Sequence, residues 1–267
     1  MKNVKMVITD MDGTLLNSNH EVSNRFFEIF KKLKQQNIQF VAASGRPYYS
    51  ITEKLKTIKD EITIVAENGG LVIKNEELLL SNTISTTNLL RLIKTVDTLK
   101  NTYPLYCTKH KVYIKRASDE MISIFSEYYT NYIIIDAIEE IKDEVIKIAL
   151  YHPINSEANI YPFVKHLSPE FNVVVSGNHW VDISDAITNK GHAIKFLQKY
   201  YNVRPEETMA FGDYNNDFEM LQCASYSYAM KNAHDDIKAI ANYQTGTNDN
   251  FGVERILEQL VSKSSEY

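Results

Sequence analysis

Short apolar runs alternate with amphipathic segments at both ends of the chain. The run at residues 5–9 is rich in β-branched and apolar side chains, and it predicts a buried strand that ends at Asp10. Residues 23–36 place their phenylalanines on one side, which predicts a helix with Ser23 as its N-cap. The chain therefore begins with a strand followed by a helix.

The same alternation returns further along the chain. Apolar runs predict two more early strands, at residues 38–43 and 62–66, and one late strand at residues 208–211. Helical spacing predicts a helix just before the late strand, at residues 191–201. Strand–helix alternation of this kind predicts an α/β fold with a doubly wound, Rossmann-like parallel sheet.

The middle of the chain has a different pattern. Helical spacing and β-rich runs are mixed there, with predicted helices at residues 88–99 and 155–166 and predicted strands at residues 111–115, 144–151 and 172–176. We interpret this part as an inserted α+β cap domain. The expected boundaries are residues 1–81 and 186–267 for the two parts of the core and residues 82–185 for the cap.

Composition narrows the function classes. The 267 residues are 44% hydrophobic, which suits a globular protein with a sizeable core, and the formal net charge of -5 argues against a nucleic-acid partner. No apolar run is long enough for a signal-peptide core or a bilayer span, so we expect a cytoplasmic protein without a membrane partner. Cys107 and Cys223 have no spacing typical of a disulfide framework or a zinc site.

Polar clusters follow three of the predicted strands. They occupy residues 10–14, 44–47 and 212–217. Ligands of open α/β sheets bind outside the carboxyl ends of the strands, so we expect the three clusters to converge on one crevice.

The acidic residues of these clusters suggest a cation. Asp10 and Asp12 lie two positions apart in an extended segment, so their carboxylates point the same way and repel each other. Asp213 and Asp217 add negative charge, and oxygen ligands of this kind suit Mg²⁺. The alternative is an ordinary turn at Asp12-Gly13 that Asp10 merely caps.

Two further positions suggest an anion. Ser44 and Gly45 follow a strand and offer a hydroxyl and free N–H groups to phosphate oxygens, although an ordinary loop before a proline has the same composition. Lys190 lies at a helix start, where the helix dipole favours anions over cations. A bound anion would resolve that mismatch, and a solvated surface lysine is the alternative.

Together these segments resemble a known superfamily. Residues 10–14 (Asp-Met-Asp-Gly-Thr), Ser44, Lys190 and residues 212–217 resemble the four motifs of the haloacid dehalogenase (HAD) superfamily. Four shorter segments resemble the Cof-like sugar-phosphatase subgroup of this superfamily; they are residues 43–47, 67–70, 189–191 and 229–233. The middle of the chain matches in size and position the large cap of that subgroup. Gly70, Asn189 and Phe251 depart from its usual Ala, Ser and Asp.

The resemblance implies a role for each motif. Asp10 would attack phosphorus, and Asp12 would protonate the leaving group and then activate water. Mg²⁺ would be held by Asp10, by the backbone carbonyl of Asp12 and by Asp213, with Asn216 and Asp217 supporting the site.

Substrate contacts follow in the same way. Ser44, Lys190 and the Gly45 N–H would hold the phosphoryl group, with Asn216 among the substrate-binding residues. Arg46 and Asn68 lie on loops near the crevice, where Arg46 would pair with an anionic substrate group. The turn at residues 178–180, with the only Trp, either faces the site from the cap or packs inside it.

The implied activity is magnesium-dependent hydrolysis of small phosphorylated metabolites. Sugar phosphates are the first substrate class, followed by pyridoxal phosphate and flavin mononucleotide. A phosphomutase of the same superfamily is one alternative, and a non-catalytic phospho-aspartate regulatory module is another. We expect a monomer or a homodimer.

Overall fold

The strands that the structure describes form two β-sheets. The computed structural model describes Met1 and residues 3–263; Lys2 and residues 264–267, the end of the expected C-terminal core segment, lie outside the described residues. In chain order the strands are β1 (Met6–Thr9), β2 (Gln39–Ala43), β3 (Thr63–Ala66), β4 (Leu71–Lys74), β5 (Glu77–Ser81), β6 (Tyr103–Thr108), β7 (Val112–Lys115), β8 (Tyr132–Ile135), β9 (Val145–Tyr151), β10 (Phe171–Gly177), β11 (Trp180–Asp185), β12 (Thr208–Gly212), β13 (Tyr226–Ala229) and β14 (Tyr243–Gln244).

Helices connect most of these strands. They are α1 (Asn24–Gln35), α2 (Tyr48–Lys54), α3 (Thr86–Val96), α4 (Asp119–Ser126), α5 (Ser156–Asn159), α6 (Tyr161–Val164), α7 (Lys190–Tyr201), α8 (Phe218–Gln222), α9 (Asp235–Ile240) and α10 (Gly252–Lys263). Within the described part of the chain, none of them has the length and apolar character that crossing a bilayer requires.

The larger sheet confirms the predicted α/β fold with a parallel sheet. Its strand order is β14-β13-β12-β1-β2-β3-β4-β5, and the strands from β14 to β3 are parallel to their neighbours. In the centre, Ile8 of β1 pairs with Ala210 on one side and with Val41 on the other. The carboxyl ends of β12, β1 and β2 are therefore neighbours at one edge. The antiparallel hairpin of β4 and β5, which the sequence did not predict, extends the sheet.

Helix α1 shows how local sequence builds this layer. The Ser23 hydroxyl accepts a hydrogen bond from the Phe26 N–H at 3.1 Å, so Ser23 is the N-cap as predicted. Phe26 and Phe30 are buried one turn apart, and the Phe26 ring lies 5.0 Å from the ring of Phe40 on β2. Burying such side chains stabilises the fold by about 1.5–3 kcal/mol each, which fixes the helix against the sheet.

Strands β6 to β11 in the middle of the chain form the smaller sheet. We call this sheet with helices α3 to α6 the cap, and the remaining strands and helices the core. The order is β10-β11-β9-β6-β7-β8, antiparallel except for β7 and β8. Strand β9 contributes to the apolar clusters of both parts, because Ile148 is buried in the cluster of the cap and Ile146 in the cluster of the core.

One predicted helix of the cap is wrong as a continuous element. Residues 155–166 form two separate turns, α5 and α6, followed by a short 3₁₀ segment at Lys165–Leu167. Pro162 lies in the first turn of α6, and its nitrogen cannot donate to the carbonyl of Ala158. The helix is therefore interrupted near Ile160, although Asn155 caps its start as a helical pattern requires.

Candidate active site

Three neighbouring strands deliver polar side chains to one cavity. Asp10 follows β1, Ser44 follows β2 and Asp213 follows β12, and all three line a cavity of about 240 Å³ between core and cap. This is the convergence that the sequence predicts for the carboxyl ends of adjacent parallel strands.

Asp10 is buried beside a lysine and further acids. The ammonium of Lys190 lies 2.5 Å from Asp10 Oδ1 and 2.6 Å from Asp217 Oδ1, and both Lys190 and Asp217 are fully buried. Burial is the largest influence on Asp10, followed by the charge of Asp217, and together they raise the pKa of Asp10 to about 7 despite Lys190. The mismatch of Lys190 with its helix start is resolved here by two carboxylates of the protein.

Asp217 uses both carboxylate oxygens to hold its own loop. One oxygen accepts from Lys190, and the other accepts from the backbone N–H groups of Asp213 at 2.9 Å and of Tyr214 at 3.2 Å. Asp217 is therefore occupied by the protein, while Asp10 and Asp213 keep free oxygens toward the cavity.

The acids are arranged in a way that fits a hard cation. Oxygens of Asp10, Asp213 and Asp217 lie within 4.8 Å of one another, and burial together with the charge of Asp10 raises the pKa of Asp213 well above its usual range. Gly13 lies at φ +76°, and a Cβ at this position would lie 2.3 Å from Asp213 Oδ2. Carboxylates packed this closely favour a divalent cation with oxygen ligands.

Asp12 is turned away from this acid cluster. Its carboxylate accepts from Arg46 Nε and Nη2, each at 2.6 Å, and His20 Nδ1 lies 3.3 Å from the same group. Burial alone would raise the pKa of Asp12, but the hydrogen bonds and charge of Arg46 hold it well below its usual range. Arg46 therefore pairs with a protein carboxylate in this arrangement, where the sequence predicted an anionic group of the substrate.

The loop after β2 supplies candidate phosphate donors. The Ser44 hydroxyl accepts from the Arg46 N–H at 3.1 Å, and both Ser44 and Gly45 line the cavity. Asn216 also lines it, and its amide donates to Asn68 Oδ1 at 2.9 Å. The other end of the Asn68 amide donates to Asp182 of the cap, so protein groups engage both ends of this amide, and Asn68 is not one of the residues that line the cavity.

The cap closes the cavity with aromatic side chains. The turn at residues 178–180 lines the cavity, and Trp180 also packs against the apolar cluster of the cap, so both positions considered from the sequence are occupied at once. Trp180 is held by surrounding rings, among them Tyr128 with its centroid at 5.5 Å and Tyr151 at 4.9 Å. The ring of Tyr128 also lies 5.0 Å from the guanidinium of Arg46, so the aromatic wall meets the Asp12 pair directly.

Sequence reasoning missed several residues at this site. His20 and Tyr128 were not singled out because nothing in their spacing ties them to the motifs. Lys147 and Asp182 carried a usable signal, since Lys147 is the one charge in β9 and Asp182 lies between the apolar Val181 and Ile183 of β11. Asn232, in the 229–233 segment, donates to the carbonyl of Gly13 at 2.8 Å and so buttresses the loop after β1.

Comparison with known proteins gives the same assignment as the motifs. A family model described as haloacid dehalogenase-like hydrolase matches residues 7–257. The chain is 29% identical to the 5-amino-6-(5-phospho-D-ribitylamino)uracil phosphatase of Escherichia coli K12, over 99% of this chain and 98% of the relative.

Solved structures with a similar fold support the same family. A protein of Streptococcus mutans UA159 superposes with a TM-score of 0.91 at 31% identity, covering 97% of this chain and 99% of the other. A haloacid dehalogenase-like hydrolase of Bacillus subtilis superposes with a TM-score of 0.86 at 25% identity, covering 96% and 100%. The chain belongs to the haloacid dehalogenase-like hydrolase family, as its motifs implied, and it is an enzyme of the phosphatase class.

Proposed function

We propose that the protein is a magnesium-dependent phosphatase that hydrolyses small phosphorylated metabolites through an aspartyl phosphate on Asp10. The observation that carries this proposal is the position of Asp10, which follows β1 and lines the cavity beside the ammonium of Lys190 and the carboxylate of Asp213. A carboxylate with a cation on one side and a divalent-ion site on the other is arranged to attack an anionic phosphorus centre.

Asp10 and Asp12 divide the two halves of the reaction. An Asp10 oxygen forms a bond to phosphorus while the bond from phosphorus to the leaving oxygen breaks, and Asp12 gives that oxygen its proton. Water then attacks phosphorus of the aspartyl phosphate and passes a proton to Asp12, which frees Asp10 and inorganic phosphate. The pairing with Arg46 favours the ionised Asp12 that the second half needs, and it must open before Asp12 donates in the first half.

Mg²⁺ and the phosphate donors would neutralise the transferring group. Asp10, the backbone carbonyl of Asp12 and Asp213 would hold Mg²⁺, which supplies positive charge to the phosphoryl oxygens. Ser44 and the Gly45 N–H would bind the same oxygens from the core, and Lys190 would hold Asp10 and the phosphoryl group in line. Asp217 and Asn216 support this arrangement through the backbone of the loop after β12 and through Asn68.

The substrate class is proposed from the walls of the cavity. Trp180 and Tyr128 offer apolar ring surface, while Ser176 and Asn178 of the cap offer polar groups to the hydroxyl groups of a substrate. A phosphorylated sugar or sugar alcohol fits the polar side, and an attached planar ring fits the aromatic side, as in the substrate named for the Escherichia coli relative. Sugar phosphates, pyridoxal phosphate, flavin mononucleotide and phosphoribityl compounds are therefore the panel to test.

The test is release of inorganic phosphate across that panel with and without Mg²⁺. The proposal expects release that requires Mg²⁺, and Asp10→Asn is expected to abolish it with the fold intact, as circular dichroism can verify. Wild-type-like turnover by Asp10→Asn would contradict the proposal. Conversion of a sugar phosphate to its isomer without phosphate release would favour a phosphomutase, and inertness toward every substrate would favour a phospho-aspartate regulatory module.

The domain boundaries, the compartment and the oligomeric state predicted from the sequence also belong to this proposal. The cap is taken as residues 82–185 inside a core of residues 1–81 and 186–267, in a cytoplasmic monomer or homodimer. The free and buried thiols of Cys107 and Cys223 are consistent with a reducing compartment.

A further inference from the structure

A buried lysine of the cap reaches into the core loop that carries Ser44. The side chain of Lys147 on β9 is only 1% exposed, and its ammonium lies 2.6 Å from the carbonyl oxygen of Gly45 and 2.8 Å from Glu67 Oε2. Asp182 of the cap lies 3.4 Å away. A buried ammonium is costly without such partners, and two of the three belong to the core. The charge of Lys147 therefore stabilises the seating of the cap on the core.

The contact with Gly45 leads directly to the candidate phosphate donors. The peptide group between Gly45 and Arg46 accepts from Lys147 through its carbonyl and donates through its N–H to the Ser44 hydroxyl at 3.1 Å. One rigid planar peptide thus connects the cap ammonium with the hydroxyl proposed to bind phosphate. Any rotation of this peptide changes where both Ser44 and Gly45 point.

A second core loop holds the peptide groups on both sides of the Gly45–Arg46 peptide. The Glu67 N–H donates to the Arg46 carbonyl and the Asn68 N–H to the Ser44 carbonyl, each at 3.0 Å. Glu67 and Asn68 have φ values of +53° and +54°; asparagine adopts this left-handed conformation readily, whereas a glutamate is held in it by its surroundings. The ion pair of Glu67 with Lys147 is one such enforcing contact.

The residue before Lys147 docks β9 onto this loop. Ile146 is buried in the apolar cluster of the core, and a Cβ at Gly70 would lie 2.3 Å from its Cγ2 atom. Gly70, a departure from the subgroup pattern, therefore makes room for Ile146. The close approach brings the Lys147 ammonium within reach of Gly45.

We propose that Lys147 is a positioning residue that couples the seating of the cap to phosphoryl binding by the Ser44–Gly45 loop. The inference rests on the proposed function, because it takes Ser44 and Gly45 as the phosphoryl donors. Lys147 acts through the Gly45 carbonyl and does not touch the reacting atoms. Binding of a phosphoryl group and seating of the cap then favour each other, since both require the same orientation of one peptide.

Inorganic phosphate is the probe for this coupling because it has no leaving group for the cap to contact. Its inhibition constant is measured with Mg²⁺ in the wild type, in Lys147→Met and in the control Lys142→Met, which removes an exposed lysine of the same sheet region. The expected result is weakening by about tenfold in Lys147→Met, the loss of one charge-assisted hydrogen bond, and none in the control. Equal inhibition of Lys147→Met and wild type would overturn the inference.

A second variant separates positioning from stability. Lys147→Met leaves the Glu67 carboxylate buried without its cation, so the double variant Lys147→Met/Glu67→Gln removes both charges of the pair. The melting temperature is expected to recover in the double variant while phosphate inhibition stays weak. Recovery of both would overturn the positioning role. Absence of phosphate inhibition in the wild type itself would instead overturn the proposed function together with this inference.

Discussion

Arg46 donates hydrogen bonds to both carboxylate oxygens of Asp12, from Nε to Oδ2 and from Nη2 to Oδ1, each at 2.6 Å. The pair holds the pKa of Asp12 below its usual range. Its contribution to stability is therefore present above the pKa of an unfolded Asp, about 3.9, and is lost as the pH falls through the lower folded value. Asp12 is the proposed acid and base, so Arg46 sets the pH at which either role is available.

Removing the guanidinium should move the pH profile. In Arg46→Gln the pKa of Asp12 rises toward its ordinary value, so the pH limits set by the proton-accepting and proton-donating forms of Asp12 both rise. We expect the profile of kcat to shift to higher pH, measured by phosphate release over a range of buffers. The matched control is Arg25→Gln, which breaks a similar bidentate pair with Glu258 away from the cavity. A profile that coincides with that of the control would remove Arg46 from this role.

The substitution Asp12→Asn tests the proposed role of Asp12 as acid and base. Asp12→Asn keeps the size of the side chain but neither donates nor accepts the proton, and turnover should fall by about 10² to 10⁴. The measurement is kcat at saturating substrate, with circular dichroism as the control for folding. A rate within a fewfold of wild type would exclude Asp12 as the acid and base.

Magnesium should stabilise the protein more at high pH than at low pH. The raised pKa of Asp10, about 7, means that its contribution to stability is full below the unfolded value and is lost as the pH rises through 7. Asp213 is shifted in the same direction. A cation that binds the ionised carboxylates offsets this loss, so the gain in melting temperature on adding Mg²⁺ should be larger at pH 8 than at pH 5.

The control for that measurement is Asp213→Asn, which removes one proposed ligand and should abolish most of the gain at pH 8. An equal gain at both pH values, or a gain that survives in Asp213→Asn, would contradict the assignment of the metal site.

The Gly70–Ile146 contact predicts a coupled pair of substitutions. Gly70→Ala inserts a methyl group where 2.3 Å separates its position from Ile146 Cγ2, and such overpacking costs about 1–3 kcal/mol. Ile146→Ala in the same chain removes the clashing atom, so the double variant should be more stable than the sum of the single variants predicts. Urea unfolding of the four proteins measures this coupling, and simple additivity would contradict the contact.

Much of this organisation follows from local sequence. The strands that carry Asp10, Ser44 and Asp213 were predicted because apolar runs end at polar clusters, and adjacent parallel strands must open to one edge. The continuous helix predicted at residues 155–166 is wrong, because Pro162 lacks the N–H that such a helix needs and the apolar spacing does not reflect this.

Other contacts depend on how distant segments meet. The partner of Arg46 was predicted as a substrate anion, and the structure gives Asp12, because a loop arginine is drawn to whichever carboxylate the fold brings nearest. Lys147 and Gly45 lie 102 positions apart, and their contact exists only when the cap rests on the core. A lone charge in a buried strand was a signal that a partner exists, but not of which one.

The aspartyl phosphate on Asp10 is the intermediate that the proposed mechanism requires, and chemical trapping tests it directly. The enzyme is mixed with substrate and Mg²⁺, quenched during turnover and treated with borohydride, which reduces an acyl phosphate of aspartate to homoserine. Peptide mass spectrometry is expected to find homoserine at position 10 in the wild type and none in Asp10→Asn. Steady phosphate release with no modification at Asp10, or with modification at a different acid, would contradict the proposed mechanism.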